Sequence, residues 1–507
     1  MSARIARLPL ILILAGIASF AMFVPAMHAV LNDDHSVARS FLYSGIVGLA
    51  VVSLIGIAMS TGPRRAASDL SNLLSLFLGY SVLPVFLALP FYEGLSTTSF
   101  LNAYIEMVSS LTTTGATLFE TPGRLNDSLH LWRGIVGWLG GLMMWVVASA
   151  ILAPLNLGGF EVTASAEPGQ DTGGLERFER ADAAKRLWRA TVTLGPIYAG
   201  LTVILWMSLV VGGDRPIVGL IHAMSTMATS GISPVGGVDN AQSGLAGEAV
   251  IFLFLTFALS RLTFSSDTVT AVRPGGLWQD PEFRLGLALV IAVPVLLFLR
   301  HWLGALEVSD DEDLVSALRA LWGAAFSVLS FLSTTGFESA DWVTARSWSG
   351  LGTPGLILLG LSLIGGGVAT TAGGVKLLRV YALYLAGRRE MERLVHPSSI
   401  GRAGAGSRRI RRQGAFIAWI FFMLFGLSLA LVTVVLALLG LEFEEALILA
   451  IAGLSTTGPL TQAAGEVPIQ LLEMSAWAKL VFGAAMIIGR LETLAIIALI
   501  NPGLWRD

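Results

Sequence analysis

Four short stretches of the chain combine a glycine with hydroxyl residues, and each follows a short apolar segment. They are Thr113-Thr114-Gly115-Ala116, Thr229-Ser230-Gly231-Ile232, Thr334-Thr335-Gly336-Phe337 and Thr456-Thr457-Gly458-Pro459. Their glycines stand 116, 105 and 122 residues apart, which indicates one structural unit present four times. A glycine lets the backbone turn its carbonyl groups toward a common axis, where they can replace the water around a cation. The chemistry predicted from these residues is therefore cation coordination by backbone carbonyls.

The composition places these stretches in a membrane protein. Of the 507 residues, 54% are hydrophobic and only 13% are charged, whereas a soluble domain has about 25% charged residues. The chain has no cysteine, and its six histidines show no metal-ligand spacing. Thiol chemistry and a histidine metal site are thereby excluded. The HExxH, P-loop and GxSxG patterns are also absent from the sequence, so we expect no enzymatic activity and no cofactor in this chain.

Ten segments are apolar enough to cross a membrane, which takes about 20 residues. They are 8–31, 40–61, 70–91, 132–154, 187–212, 246–264, 284–302, 350–385, 414–440 and 474–500. Four shorter apolar segments end at the glycine stretches and are predicted to be re-entrant half-helices. These are 98–111, 216–228, 316–332 and 443–454. The first long segment is interpreted as a retained helix, with a cleaved secretory signal as the alternative.

The order of these segments predicts an all-α membrane fold in which four parallel repeats surround a central pore. Each repeat would contain a helix, a pore helix, a filter loop and a second helix. The predicted units are a two-helix preface at 1–65 and pore repeats at 66–160, 161–268, 269–390 and 391–507. Basic residues concentrate in the connections on one side, above all in 376–412. This bias predicts a cytoplasmic N-terminus and filter loops that face outward.

Two features of the last two repeats stand out from their apolar surroundings. The segment 350–385 is too long for a single crossing, and its run of glycine, alanine and threonine from Gly365 to Gly374 is expected to unwind near mid-membrane. Arg490 is a charge within the apolar span 474–500, and an intramembrane charge is by default a functional candidate. The alternatives are close helix packing for the run and a structural ion pair for Arg490.

At the four glycine stretches, at Gly137–Gly141 and at Gly365–Arg379, the chain resembles the Trk/Ktr/HKT superfamily of potassium transporters, most closely its bacterial TrkH branch. The resemblance implies a potassium-channel-like protein for K⁺ uptake across a bacterial inner membrane. The four stretches given above would be its selectivity filter and would hold K⁺ with their carbonyls. The resemblance also implies an intramembrane gate beneath the filter. Its residues would be Gly365, Gly366, Gly367, Ala369, Thr370, Thr371, Gly373, Gly374, Lys376 and the pore-facing Arg490.

The resemblance further implies a homodimer and a separate, TrkA-like cytoplasmic subunit that binds nucleotide. The basic connection 376–412 is the predicted docking surface, with membrane lipid as the alternative contact, and no nucleic-acid partner is expected. All four filter glycines are present, which favours K⁺ because a serine in the first loop accompanies sodium transport in the plant branch. Ser230 and Pro459 depart from the usual pattern and are expected to change side chains more than carbonyls. A Na⁺-permeable or Na⁺/H⁺-coupled relative, a weakly coupled K⁺ symporter and a non-conducting membrane scaffold remain alternatives.

Overall fold

The structure is a computed structural model that describes residues 9–60, 69–153, 159, 183–260, 277–303, 314–396 and 412–492. Within these ranges the protein is helical and contains no β-strand. Eight of the described helical segments are long and apolar enough to cross a membrane. They are Leu10–Leu31, His35–Met59, Leu73–Leu95, Asp127–Leu152, Lys185–Val211, Pro281–His301, Leu314–Leu332 and Gly414–Leu438. The predicted all-α membrane fold is therefore confirmed.

Two helical segments long enough to cross a membrane precede the first of the predicted pore repeats in the described part of the chain. The first is α1 (Leu10–Ala21) continued by α2 (Phe23–Leu31), and the second is α3 (His35–Ser60). The first crossing is interrupted at Met22 because Pro25 lacks the amide hydrogen that would bond to the carbonyl one turn earlier. Both halves pack against α3, which in turn packs against the first repeat.

The remaining long helices fall into four sets, each with a first helix, a pore helix and a second helix. The first helices are α4 (Asp69–Ser81) continued by α5 (Leu83–Leu95), α8 (Ala183–Val211), α11 (Pro281–Leu303) and α16 (Arg412–Leu438). The pore helices are α6 (Phe100–Leu111), α9 (Pro216–Ala228), α12 (Leu314–Leu332) and α17 (Phe443–Leu454). The second helices are α7 (Asp127–Val147), α10 (Gly244–Leu255), α14 (Gly355–Ile364) with α15 (Leu377–Val395), and α19 (Ala476–Leu491). Short helices α13 (Trp342–Ser349) and α18 (Leu460–Ala463) follow the third and fourth filter loops.

The third pore helix is longer than the sequence suggested. The segment 316–332 was expected to be too short to cross a membrane, whereas α12 has 19 residues and qualifies by length and composition. This expectation is wrong because the helix continues outward beyond the packed core, where Leu314 and Leu318 are exposed. Its C-terminal half is largely buried, like the shorter pore helices.

The predicted break in the segment 350–385 is present, since residues 365–376 separate α14 from α15. Two other predicted spans extend by several residues beyond the described part of the chain. Residues 261–264 of the span 246–264 and residues 493–500 of the span 474–500 lie outside the described residues. The same holds for residues 397–411 of the basic connection.

Glycines let the second helices lie directly against the ends of the pore helices. A methyl group on Gly140 of α7 would lie 2.1 Å from the carbonyl oxygen of Leu111, and one on Gly489 of α19 would lie 2.4 Å from that of Leu454. Leu111 and Leu454 are the last residues of the first and fourth pore helices. A larger side chain at either glycine would push the second helix away from the start of the filter loop.

Candidate functional site

The same backbone hydrogen bond holds each of the four loops to its pore helix. In every loop the amide of the residue before the glycine donates to the carbonyl five residues earlier, at 2.9 Å. The pairs are Thr114 with Ser109, Ser230 with Ser225, Thr335 with Ser330, and Thr457 with Ala452. This shared bond gives the four loops one register, so the equivalence predicted from the sequence is present in the fold.

A threonine in the left-handed region of φ opens each loop. The φ angles are 55°, 48°, 59° and 54° at Thr113, Thr229, Thr334 and Thr456. A β-branched residue is rare in this region, which costs about 1–2 kcal/mol, so the surrounding structure must impose the conformation. Gly115, Gly231 and Gly336 are left-handed as well, with φ of 74°, 66° and 82°. The three glycines adopt this conformation without the steric cost that a side chain would add.

The first three loops lie against one another in chain order. A methyl group on Gly115 would lie 1.7 Å from the carbonyl oxygen of Ser230, and one on Gly231 would lie 2.3 Å from that of Thr335. A side chain at either position would therefore displace the backbone of the next loop. The absence of a side chain is what lets the loops approach closely enough to form a ring.

The fourth loop closes this ring but departs from the shared geometry. The amide of Gly458 donates to the Thr114 carbonyl at 2.6 Å, and Gly458 is not left-handed. Its carbonyl accepts hydrogen bonds from the amide and the hydroxyl of Thr461, at 3.0 and 2.8 Å, because α18 starts just after Pro459. The glycine carbonyls of the other three loops accept no hydrogen bond within the described part of the chain. Pro459 was expected to change side chains more than carbonyls, but at this loop the Gly458 carbonyl is hydrogen-bonded as well.

Hydroxyl pairs brace three of the four loops. The oxygen atoms lie 2.8, 3.0 and 3.1 Å apart in the pairs Thr112 with Thr114, Ser333 with Thr335, and Ser455 with Thr457. In the second loop the corresponding residues are Ala228 and Ser230, and the Ser230 hydroxyl donates to that of Ser225 at 3.1 Å. Ser230 thus stands where the other loops have threonine, and the hydroxyl residue two positions earlier is replaced by Ala228.

The residues that follow the first three glycines turn toward the protein. The Ala116 carbonyl accepts a hydrogen bond from the Ser109 hydroxyl at 2.6 Å. Ile232 packs in an apolar cluster, and the ring of Phe337 meets that of His222 edge-on with centroids 5.7 Å apart. The Ile232 and Phe337 side chains therefore pack against the protein behind the loops, and Phe337 also lines a cavity at the glycine end of the ring.

A cavity of about 240 Å³ lies at the glycine end of the ring and is lined by Gly115, Gly231, Gly336 and Gly458, one from each loop. Asp239, Glu338 and Arg133 also line it. Burial and the neighbouring Asp239 carboxylate raise the pKa of Glu338 to about 7, although the Arg346 charge opposes the shift. Burial likewise raises the pKa of Asp239. The cavity therefore presents two carboxyl groups of raised pKa close to the ring.

The interruption between α14 and α15 is a loop, residues 365–376, whose two ends meet. The amide of Lys376 donates to the Ile364 carbonyl at 2.8 Å. A methyl group on Gly374 would lie 2.7 Å from the Cα atom of Gly365, and both glycines are left-handed. The base of the loop is therefore closed by direct backbone contact.

The outgoing limb of this loop is anchored to the second and third repeats. The Gly367 amide donates to the Ala258 carbonyl at 2.9 Å. The Val368 amide donates to the Glu282 carboxylate of α11 at 3.1 Å. The Thr370 hydroxyl donates to the Gly367 carbonyl at 2.8 Å and so stabilises the turn around the left-handed Ala369.

The return limb, residues 371–374, lies against the end of the ring at which the left-handed threonines stand. The Thr229 hydroxyl donates to the Thr371 hydroxyl at 3.1 Å, and the amide of Gly373 donates to the Thr334 hydroxyl at 2.7 Å. A methyl group on Gly373 would lie 2.0 Å from the carbonyl oxygen of Ser455. The loop thus touches the second, third and fourth filter loops, on the side away from the cavity.

Arg490 of α19 contacts the same limb. Its Nη1 atom donates to the Thr371 carbonyl at 2.6 Å, and the residue is buried. Tyr80 of α4 lies beside its guanidinium group. The Nε and Nη2 atoms of Arg490 have no hydrogen-bond partner within the described residues. Glu492 does not pair with Arg490, as expected for residues two positions apart on a helix.

Sequence reasoning missed an ion pair at the base of the loop. The Arg379 Nη2 atom lies 2.6 Å from Glu492 Oε2, and both residues are buried. The Arg379 guanidinium also lies over the ring of Phe421, 3.6 Å from its centroid, while the Lys376 ammonium group donates to the Ala372 carbonyl. The sequence does show that Arg379 and Glu492 are opposite charges in apolar surroundings. Their separation of 113 residues, however, gives no indication that they pair.

Comparison with known proteins identifies the family to which these features belong. The family model described as TrkH, cation transport protein, matches residues 249–502. The chain is also 31% identical over 415 residues to the Trk system potassium uptake protein TrkH of Vibrio parahaemolyticus, an alignment that covers 80% of each chain. The chain belongs to the TrkH family. Another relative, the Trk system potassium uptake protein TrkH of Salmonella typhimurium, is 30% identical over 497 residues, and the alignment covers 96% of both chains.

A solved structure agrees with this assignment. The crystal structure of the potassium transporter TrkH from Vibrio parahaemolyticus matches this TrkH-family chain with a TM-score of 0.79 and 26% identity, over 100% of both chains. The resemblance drawn from the filter and loop motifs is thereby confirmed. Membership of a cation transport family also confirms that the protein is a transporter and not an enzyme.

Proposed function

We propose that the protein carries K⁺ into a bacterial cell across the inner membrane, through the ring formed by the four filter loops. The observation that carries this proposal is the common loop geometry, in which four pore helices present their loops in one register. Neutral carbonyl dipoles suit a weakly hydrated monovalent cation and still allow it to leave. The relatives from Vibrio and Salmonella are named potassium uptake proteins, which supports K⁺ as the ion.

In this proposal residues 365–376 and Arg490 form the gate. The loop occupies the threonine end of the ring, and the Arg490 charge lies just behind it at the Thr371 carbonyl. A positive charge on the path would repel cations while the loop is in place. Opening then requires the loop to leave Thr229 and Thr334, and the small residues of the loop would ease this movement.

The proposed orientation places the acidic cavity outside the cell and the N-terminus inside. Arg388 and Arg389 are exposed on α15, beyond the intramembrane loop, while Asp239 and Glu338 line the cavity at the opposite end of the filter. This charge distribution follows the excess of basic residues on cytoplasmic surfaces. We further propose a homodimer that docks a nucleotide-binding regulatory subunit on the basic connection.

A Na⁺-permeable transporter is the second candidate, and the fourth loop favours it. Because Thr461 occupies the Gly458 carbonyl, three glycine carbonyls rather than four are free at this level within the described residues. Fewer carbonyl ligands would reduce the preference for K⁺ over Na⁺.

Complementation tests the proposed uptake. Bacteria that lack K⁺ uptake systems should grow at low K⁺ when they express this chain, and more strongly when its nucleotide-binding partner is also expressed. Growth that is restored by the wild type but not by Gly231→Asp, which places a side chain and a charge in the ring, would support the proposal. Equal growth with and without the chain, at verified membrane expression, would contradict it.

A further inference from the structure

The side chain nine residues before the filter glycine reaches the far end of its own loop in three of the four pore helices. The pairs are Glu106 with the Leu118 amide at 2.9 Å, His222 with the Ser233 hydroxyl at 2.8 Å, and Ser327 with the Ser339 amide at 3.4 Å. The fourth position is Leu449, which offers no polar atom, and there the loop continues into α18. The first three repeats therefore share a polar support behind the loop, but each uses a different side chain.

The support in the first repeat is charged. Glu106 is fully buried, and its Oε1 atom lies 2.6 Å from Nε of Arg133, a residue of α7 that also lines the cavity. The Arg133 Nη1 atom lies 3.3 Å from Nδ1 of His130, whose Nε2 lies 3.0 Å from the Pro122 carbonyl. Because a carbonyl can only accept, Nε2 carries the proton and Nδ1 accepts from Arg133. One chain of contacts thus runs from the filter loop through Glu106 to the outer connection at Pro122.

Two residues of α6 fix the first loop from the same helix face. Ser109 lies one turn after Glu106 and donates to the Ala116 carbonyl at 2.6 Å, while Glu106 accepts from Leu118. Gly115 stands directly before this pinned segment and contacts the backbone of the second loop. A shift of Leu118 would therefore be transmitted to the position of the Gly115 carbonyl.

We propose that Glu106 is a positioning residue for ion selectivity, which acts by holding the exit of the first filter loop in a fixed place. Arg133 pairs with the Glu106 carboxylate and orients it, and a charged acceptor holds an amide more firmly than a neutral one. The inference rests on the proposed K⁺ path and deepens it, because it assigns part of the discrimination between K⁺ and Na⁺ to a carboxylate that does not touch the ion.

Tracer uptake into proteoliposomes tests this role, with Rb⁺ in place of K⁺ and with Na⁺ measured separately. Glu106→Gln retains an acceptor for the Leu118 amide but loses the charge that holds Arg133. The double variant Glu106→Gln with Arg133→Met removes both charges, so that it leaves no unpaired buried charge and keeps the test available if the single variant does not fold. Asp127→Asn is the matched control, because Asp127 lies on α7 together with Arg133 but pairs with Arg215 at the surface.

We expect the ratio of Rb⁺ to Na⁺ uptake to fall about two- to thirtyfold in both Glu106 variants, the range over which packed networks modulate a coupled site. Rb⁺ uptake itself should persist, and Asp127→Asn should keep the wild-type ratio. A folded double variant that takes up Rb⁺ with the wild-type ratio would overturn the inference. Failure of the wild type to prefer Rb⁺ over Na⁺ would instead overturn the proposed function, so the two failures are distinguishable.

Discussion

The guanidinium group of Arg490 donates a hydrogen bond to the carbonyl of Thr371 at 2.6 Å. The hydroxyl of the same threonine bonds with Thr229 at the start of the second filter loop. Two residues after Arg490, Glu492 pairs with Arg379 at the base of the loop formed by residues 365–376. The C-terminal end of α19 therefore holds the loop at two places, and a movement of this helix end would release both.

Removal of the Arg490 charge should increase ion flow. In Arg490→Ala we expect Rb⁺ uptake into proteoliposomes to rise on the order of tenfold, equivalent to about 1.4 kcal/mol, because the variant loses both the charge and the bond to Thr371. Arg490→Lys keeps the charge and should stay near the wild-type rate. Arg388→Ala removes an arginine from the exposed part of α15 and serves as the control. Equal uptake by Arg490→Ala and the wild type would rule out this role of the arginine.

The Arg379–Glu492 pair should be important for stability. Glu492→Gln leaves a buried guanidinium without its carboxylate, and breaking a buried pair in this way costs about 3–5 kcal/mol. We expect a clear fall in the unfolding temperature in detergent, measured by loss of the monodisperse peak after heating.

The exposed pair between Arg388 and Glu392 supplies the control for that measurement. Glu392→Gln should change stability by no more than about 1 kcal/mol, since solvent screens exposed pairs. A double variant Arg379→Met with Glu492→Gln should recover part of the loss, because no unpaired charge remains in it. If Glu492→Gln unfolds at the same temperature as Glu392→Gln, the pair has no structural importance.

Uptake should depend on external pH through Glu338. Its pKa is raised to about 7, so the carboxyl is mostly neutral below that pH and mostly charged above it. A charged carboxylate beside Asp239 would attract cations to the filter, and we therefore expect Rb⁺ uptake at low Rb⁺ to rise as the external pH goes from about 6 to about 8. Glu338→Gln should remove this dependence, and Glu466→Gln, an exposed carboxylate away from the cavity, should not. If Glu338→Gln keeps the pH profile of the wild type, the pH dependence of uptake does not arise from the Glu338 carboxyl.

The same pKa shift has a consequence for folding. The folded protein binds the Glu338 proton more tightly than an unfolded chain, in which the pKa would be near 4.5. The favourable contribution of this carboxyl is therefore complete below about pH 4.5 and is lost as the pH rises toward 7. Glu338→Gln, which stays neutral, should show a smaller decrease in stability over this interval.

The sequence was most informative where a local pattern repeats. The four glycine stretches predicted four loops of common geometry because each loop is specified by a few adjacent residues. The run from Gly365 to Gly374 predicted the break between α14 and α15 because glycine disfavours a helix wherever it occurs. The length of α12 was predicted less well, since the apolar composition of Leu314–Leu332 does not show where its buried part begins.

Contacts between distant segments could not be predicted from one sequence. The pairing of Arg379 with Glu492 and that of Glu106 with Arg133 depend on how helices from different parts of the chain pack. The geometry at Gly458 was missed for a related reason. Proline starts a helix readily, but only the position of Thr461 decides that this helix turn takes up the glycine carbonyl.

The central claim is that the backbone ring at the filter glycines selects the transported ion, and the most direct test is the ratio of Rb⁺ to Na⁺ uptake in Gly115→Ser proteoliposomes. The control is Gly123→Ser, since a side chain at Gly123 meets no atom within 4 Å, whereas one at Gly115 would meet the Ser230 carbonyl oxygen at 1.7 Å. We predict that Gly123→Ser keeps the wild-type preference for Rb⁺ and that Gly115→Ser loses most of it. A Gly115→Ser protein that takes up Rb⁺ with the wild-type rate and the wild-type ratio would contradict the claim.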